Sequence, residues 1–383
     1  MENETHSPER TPPAESGHSA SRIVKGVVDR HDGLRRRGET DQPAPPRPPA
    51  ARRRQLSVDD YVQGVLAGDR TILARAITLI ESNSPAHMQL AQEVLQHLLP
   101  HTGQSIRVGI TGVPGVGKST FIESLGTMLC RRDYNVAVLA VDPSSSVTRG
   151  SILGDKTRME QLSRQPNAFI RPSPTSGMLG GVTRKSRETA LVCEAAGFNV
   201  ILVETVGVGQ SEIAVRSMVD FFLLLMLTGA GDELQGIKKG TIELANAMLF
   251  TKADGDNKIR AEAARAEYSR VVHYLTPVIE GWTPQVLTCS SLTGEGIAET
   301  WAVIDEFRQR TNASGIFEAQ RQAQILDWMH AIVEEHLHAL FFSHKGIQQI
   351  LPQIEQAVMK GELPPTVAAQ QLLHKFEEET AAE

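Results

Sequence analysis

Gly112-Val113-Pro114-Gly115-Val116-Gly117-Lys118-Ser119-Thr120 is the stretch on which the reading of this chain turns. An apolar run, Ile106 to Thr111, precedes it, and a helical pattern, Phe121 to Cys130, follows. Strand, glycine-rich loop, helix is the Walker A order. The glycines let the backbone wrap a diphosphate with its N–H groups turned inward, and the helix N-terminus adds a positive dipole end. All nine residues are therefore expected nucleotide contacts. Lys118 is expected to reach the β- and γ-phosphates, and the Ser119 hydroxyl to ligate Mg²⁺.

Outward from this loop, between Ser105 and about Arg310, apolar runs alternate with helical patterns. The runs are Arg107 to Thr111, Val136 to Val141, Val200 to Glu204, Phe221 to Leu227, Met248 to Thr251 and Val286 to Cys289. Short β-rich runs without polar alternation are buried on both faces. With the intervening helices they predict an α/β fold, a P-loop NTPase with a mostly parallel, doubly wound sheet. Ligands then sit at the carboxyl ends of the strands.

The chemical candidates gather at those ends. Val141 is followed by Asp142, a carboxylate beside the Walker A loop that can hold Mg²⁺ directly or through water. Gly150 to Arg158 is polar and glycine-bounded, a switch candidate that brings a second acid, Asp155. Val203 is followed by Glu204-Thr205-Val206-Gly207, the acid-x-x-glycine of a Walker B strand entering switch II. Glu204 replaces the more usual aspartate, and Gly207 is placed to give its N–H to a γ-phosphate. Val208 stands where Ras-like enzymes carry a water-positioning glutamine. An aliphatic chain cannot orient water, so slow basal hydrolysis is expected unless Gln210 or a partner supplies the function.

Thr251-Lys252-Ala253-Asp254 matches the guanine-recognition pattern Asn/Thr-Lys-x-Asp. Asp254 would accept from the guanine ring N–H and exocyclic amine, which adenine does not offer in that geometry. Lys252 would lie over the base, and Ser290-Ser291-Leu292 would complete the pocket. The expected ligand is GTP or GDP.

The flanks differ in character. Residues 1–54, rich in Pro, Arg, Ser and Glu, cannot bury enough surface to offset their ordering entropy and are expected to be disordered. Glu2, Glu4, Glu9 and Glu15 argue against a mitochondrial presequence. Asp29-Arg30-His31-Asp32-Gly33 is close to a cobalamin-binding pattern, but its glycine is one position early, and it reads as accidental. Residues 55–104 predict three helices, the first N-capped by Ser57. Residues 105–312 form the expected GTPase domain. Residues 313–383 predict a long helix, Phe317 to Leu340, and a helical hairpin, Ile347 to Met359 and Thr366 to Phe376, broken at Gly361 and Pro364-Pro365. His330, His336, His338 and His344 fall in this region without a completing carboxylate or Cys, so a metal site there is not expected.

Composition bounds the rest. The chain has 383 residues and a formal net charge of -6, which offers no basic footprint for nucleic acid. Its three cysteines are far apart and suit free thiols in a reducing compartment. No apolar run approaches a membrane span. A soluble, cytoplasmic protein without a nucleic-acid or membrane partner is expected.

Taken together, these residues resemble the MeaB/MMAA family, GTPases that chaperone cobalamin-dependent acyl-CoA mutases, chiefly methylmalonyl-CoA mutase. Its bacterial branch has also been called ArgK. The most specific strings are Ser151 to Met159, Glu204 to Glu212 and Gly229 to Gly240, and the resemblance runs from about Leu56 to the C-terminus. It implies a SIMIBI-class G domain flanked by N-terminal helices and a C-terminal dimerisation region, hence a homodimer. It implies a Mg²⁺ site around Ser119 with Asp142, Asp155 and Glu204 as acidic neighbours. It also implies a third switch over Asp232 to Lys239, in which Gln235 and Lys238 are the mobile ligands and a lysine near the phosphates stabilises transition-state charge.

Three positions depart from the family pattern. Arg149 replaces a glycine, Thr251 the commoner asparagine, and Asn246 an aspartate. The first and third bear on coupling to the partner more than on nucleotide binding, and the second alters one base or loop hydrogen bond.

The resemblance implies gating of cobalamin loading and protection of the mutase. A metal-insertion GTPase would need a His-rich tail or Cys cluster, and this chain has neither. A kinase of lysine/arginine/ornithine transport would need a phosphoacceptor site, and none is legible. A nucleotide-binding module without turnover conflicts with Lys118 and the three acids.

Overall fold

Side chains on a strand alternate between faces, and here both faces are covered. The computed structural model describes residues 56–141, 159–172, 179–205, 211–229, 239–274 and 277–381, with backbone alone at 179–183, 211 and 239. The expected disordered tail, with Asp29 to Gly33, lies outside the described residues. Seven strands form one sheet among them: β1 (Ile106–Gly112), β2 (Val136–Val141), β3 (Ala168–Arg171), β4 (Val200–Thr205), β5 (Phe221–Met226), β6 (Ala247–Phe250) and β7 (Gln285–Thr288). Their order is β3-β2-β4-β1-β5-β6-β7, and every pairing is parallel.

Alternation divides the core. Val136 and Val138 of β2 and Val200 and Leu202 of β4 join Ile106, Val108 and Ile110 on one face. There they meet Phe121, Ile122 and Leu125 of α4 (Lys118–Cys130) and Trp301, Ile304 and Phe307 of a later helix, Ile297–Ala313. Ala137, Leu139, Ile201 and Val203 point the other way. Covered twice, such strands read as continuous apolar runs, and six of the seven match the expected runs. β3 was not expected. It is a four-residue edge strand whose last two residues are half-buried, so it carries no apolar run long enough to register.

The three expected N-terminal helices are α1 (Val58–Leu66), α2 (Arg70–Glu81) and α3 (Pro85–Leu98). Ser57 caps α1 reciprocally: its Oγ accepts from Asp60 N at 3.1 Å, and its N–H donates to Asp60 Oδ2 at 2.9 Å. Asp69 caps α2 by accepting from Thr71 N and Ile72 N. Their apolar faces, with Val65, Leu73, Ile77 and Val94, share the second core with Ala190, Val192 and Cys193 of α6 (Leu179–Ala195). The N-terminal helices thus help cover one face of the sheet.

The remaining helices are α5 (Glu160–Ser163), α7 (Ser211–Arg216), α8 (Lys239–Glu243), α9 (Asn257–Val272), α10 (Ile297–Ala313), α11 (Ile316–Ser343), α12 (Lys345–Met359) and α13 (Pro365–Thr380). Gly361, at φ 74°, ends the first arm of the α12–α13 hairpin, and Pro365 opens the second. Among the described residues, no helix is long and apolar enough to cross a membrane.

One buried ionic network ties α11 to the amino ends of the strands. The Arg321 guanidinium donates to both Asp220 oxygens, at 2.7 and 2.6 Å, and to the carbonyls of Gly103 and Ser105. Asp220 also accepts from Arg107 N at 2.7 Å. Burial works against the charge on Arg321, but the bonds to and charge of Asp220 raise its pKa. Glu194 is treated likewise: burial opposes its charge, yet Arg107, Ser105 and Gly103 hold its pKa low. Removing one partner of such a pair strands the other in a dry interior. Arg321→Ala is therefore expected to lower unfolding free energy in denaturant titrations by about 3–5 kcal/mol; a loss below ~1 kcal/mol would show that Asp220 does not depend on it.

Candidate active site

β1 lies at the centre of the sheet, so the loop after it opens at the carboxyl edge, beside the ends of β4 and β5. Two glycines make the turn possible. Gly112 has φ 147°, and a Cβ there would sit 2.5 Å from the Leu225 carbonyl oxygen on β5. Gly117 is left-handed at φ 99° and caps α4, whose N-terminus therefore faces the loop. Val116 is fully buried and anchors the loop, while Pro114 and Gly115 are exposed.

Lys118 is 8% exposed. Its Nζ donates to the carbonyls of Gly112 at 2.8 Å and Val113 at 3.3 Å, which holds the ammonium over the loop. Burial lowers its pKa, and the charges of Glu204 and Glu212 oppose that shift. Ser119 Oγ donates to Glu204 Oε1 at 2.7 Å. Two residues 85 positions apart, both expected at a metal, are thus in contact. Both are hard oxygen donors, the type Mg²⁺ takes.

At the base-recognition end, Ser290 Oγ donates to Asp254 Oδ2 at 2.5 Å. Lys252 has a left-handed backbone, φ 56°, unusual for a non-glycine residue. Asn257 Nδ2 holds the Lys252 carbonyl at 2.8 Å, and Asn257 Oδ1 accepts from Thr228 Oγ1. Ser124 Oγ of α4 donates to the Ser291 carbonyl at 3.0 Å. Thr120, Ser291 and the exposed Leu292 line a cavity of about 800 Å³ between α4 and the loop after β7, whose lining does not include Lys118, Lys252 or Asp254.

Thr251 faces the loop. It is buried, and its Oγ1 donates to the Val116 carbonyl at 2.7 Å, so the end of β6 braces the phosphate loop. Asn246 is also buried, at the opposite end of β6. Its backbone N–H donates to the Phe222 carbonyl and its Oδ1 accepts from Phe222 N, each at 2.8 Å. It is a strut between β5 and β6, away from the phosphate loop.

Asp142, Asp155, Gly207, Gln235 and Lys238, with Arg149, lie outside the described residues. Besides Ser124, sequence reasoning missed two further braces around the site. Asn257 has a faint signal, an amide at the start of a helix just past Asp254. The other has none: Thr241 Oγ1 of α8 donates to Glu212 Oε2 of α7 at 2.9 Å. His330, His336 and His338 are exposed on α11. Among the described residues, no group of three or more His, Cys, Asp or Glu is placed to hold a metal ion.

A helix N-terminus delivered through a glycine loop from the central strand of an all-parallel sheet makes this a P-loop nucleotide-binding fold. Residues 73–346 match the model of the family described as methylmalonyl Co-A mutase-associated GTPase MeaB, and the chain belongs to that family. The probable GTPase Mb1533 of Mycobacterium bovis is 52% identical over 317 residues, covering 83% of this chain and 94% of that protein. The mitochondrial methylmalonic aciduria type A homolog of Mus musculus is 47% identical over 332 residues, covering 84% and 80%. Among solved structures, an LAO/AO transport system kinase superposes with a TM-score of 0.69 at 38% identity, covering 84% of this chain and 97% of its own.

Thr251→Val keeps the shape of the side chain and leaves the Val116 carbonyl without its hydroxyl donor. The expected loss is about 1–3 kcal/mol of stability by chemical denaturation, with weaker GDP binding by calorimetric titration. Unchanged GDP affinity would show that the loop does not need this brace.

Proposed function

We propose that this GTPase is a chaperone of a cobalamin-dependent acyl-CoA mutase, methylmalonyl-CoA mutase in the first instance, gating cofactor loading and protecting the mutase from inactivation. The observation that carries this reading is the match of residues 73–346 to a family described by its association with that mutase.

In this reading the loop Gly112 to Thr120 cradles the phosphates, and Lys118 exchanges its two carbonyl partners for the β- and γ-phosphates. Ser119 and Glu204, with Asp142 and Asp155, hold Mg²⁺, which supplies neutralisation of phosphate charge. Ser290 fixes one oxygen of Asp254, whose carboxylate accepts from guanine, while Lys252 covers the base and Ser291 and Leu292 close the pocket. Gly207 reads the γ-phosphate. The Glu212–Thr241 bond links the helix after the 206–210 segment to the helix after the 230–238 segment. This supports a relay in which the mutase, seated on the second segment, brings Gln235 or Lys238 towards the phosphates. The free cysteines are all buried, and burial pushes the Cys130 thiol up to about 11 and Cys289 to about 12. Such inert thiols suit the cytoplasm, where we place the protein.

The test is single-turnover hydrolysis with and without saturating mutase. Alone, the protein is expected to turn over on the order of 10⁻³ s⁻¹. With mutase the rate should rise at least ~10-fold, about 1.4 kcal/mol off the barrier. Lys238→Ala should bind GTP nearly as well and lose most of that acceleration. Full acceleration of the variant would sink the relay, and no acceleration of the parent would sink the coupling itself.

The homodimer is proposed on a second observation. Leu326, Met329, Val333, Leu337 and Leu340 are all exposed along α11, at spacings of three and four. That is one apolar stripe of a helix, and a second copy would cover it. Light scattering should report a dimer for the parent and a monomer for Val333→Glu combined with Leu337→Glu; an intact dimer in the double variant places the interface elsewhere.

A further inference from the structure

A cavity of about 360 Å³ lies between α6 and α11, at the end of the sheet opposite the phosphate loop. Leu191, Met218 and Trp328 supply apolar walls, and three arginines, Arg107, Arg187 and Arg321, also line it. Two of these cations are neutralised, Arg107 by Glu194 at 2.7 Å and Arg321 by Asp220 at 2.6 Å.

Arg187 has no such partner among the described residues. It is 9% exposed. Its Nη atoms donate to the Ser217 hydroxyl at 2.6 Å and the Gln324 carbonyl at 3.1 Å, both neutral. Its guanidinium lies 5.4 Å from the centre of the Trp328 ring. Arg187 Nε and Trp328 Nε1, both buried, find no acceptor among the described residues. Burial pushes the Arg187 pKa down to about 10, Arg107 adding to the shift and Asp327 opposing it, so it is a cation at neutral pH. Glu318, the one acid among the described lining residues, is exposed and accepts from Gln322.

A buried charge and two buried N–H donors without acceptors are groups that proteins normally match. We propose that this cavity is a second ligand site, taking a small organic oxyanion, a carboxylate or a phosphate monoester with an apolar body. Its oxygens accept from Arg187 and Trp328, and its body lies against Leu191 and Met218. The volume is within the range of small-molecule sites, and an apolar wall with a few convergent polar groups is their usual make-up. Because α6 and α11 meet here, the bound anion clamps the root of the C-terminal helices to the sheet.

The test is calorimetric titration of the full chain with saturating GDP and Mg²⁺, so that the phosphate loop is filled. The probes are octanoate and phenyl phosphate, with octanamide as the neutral control. At least one anion should bind, and octanamide should bind at least ~10-fold more weakly, since a charge-assisted bond is lost. Arg187→Gln should weaken the anion at least ~10-fold, and Leu191→Trp, which fills the cavity and keeps the cation, should do the same. GDP affinity reports that each variant is folded. Binding of octanoate alone assigns a carboxylate ligand, and of phenyl phosphate alone a phosphate monoester. The proposal is overturned if neither anion binds at millimolar concentration, if octanamide binds as well, or if Leu191→Trp leaves binding unchanged.

Discussion

A parallel strand covered on both faces can offer polar groups only at its ends, and that constraint organises this protein. At the carboxyl ends it concentrates Lys118, Ser119, Glu204, Thr251 and Asp254 around one loop. At the amino ends it concentrates Arg107, Asp220 and Glu194, met by Arg321 from α11. Between them lies a fully buried apolar slab, from Val108 to Ile110 and from Val200 to Val203. The extended strands, rising about 3.3 Å per residue, hold the two polar layers a set distance apart.

Three buried cations illustrate how the surroundings decide what a charge does. Arg321 has a carboxylate in bidentate contact, and its charge is stabilised. Lys118 has two backbone carbonyls, with Glu204 and Glu212 acting only through space, so burial dominates and its pKa falls. A cation held by neutral dipoles is ready to exchange them for an anion, as a phosphate-loop lysine must. Arg187 has a hydroxyl, a carbonyl and an aromatic face, and its charge is the least matched of the three.

The braces around the loop are as informative as the loop. Thr251 joins β6 to Val116, Asn257 joins the Lys252 backbone to Thr228, and Ser124 joins α4 to Ser291. Phosphate and base elements are thereby bonded to one another through protein atoms. Preorganisation of this kind reduces what a ligand must order on binding.

The sequence by itself determined the elements whose chemistry is local. Glycines at 112, 115 and 117 follow from the backbone torsions the loop requires, and the Ser57 cap from the unpaired N–H groups at a helix start. Six strands were legible because burial on both faces leaves a continuous apolar record. Tertiary structure alone decided the rest. β3 is half-buried at an edge and leaves no such record. Thr251 reads equally as a base or a loop contact until its hydroxyl is seen on Val116. Arg321 is the single arginine of the long helix α11, and only the fold places it on Asp220, 101 residues away. The physical reason is common to all three. Local torsions and caps depend on neighbours in the chain, whereas the worth of a charge or hydroxyl depends on what excludes water from it, and that is assembled from distant segments.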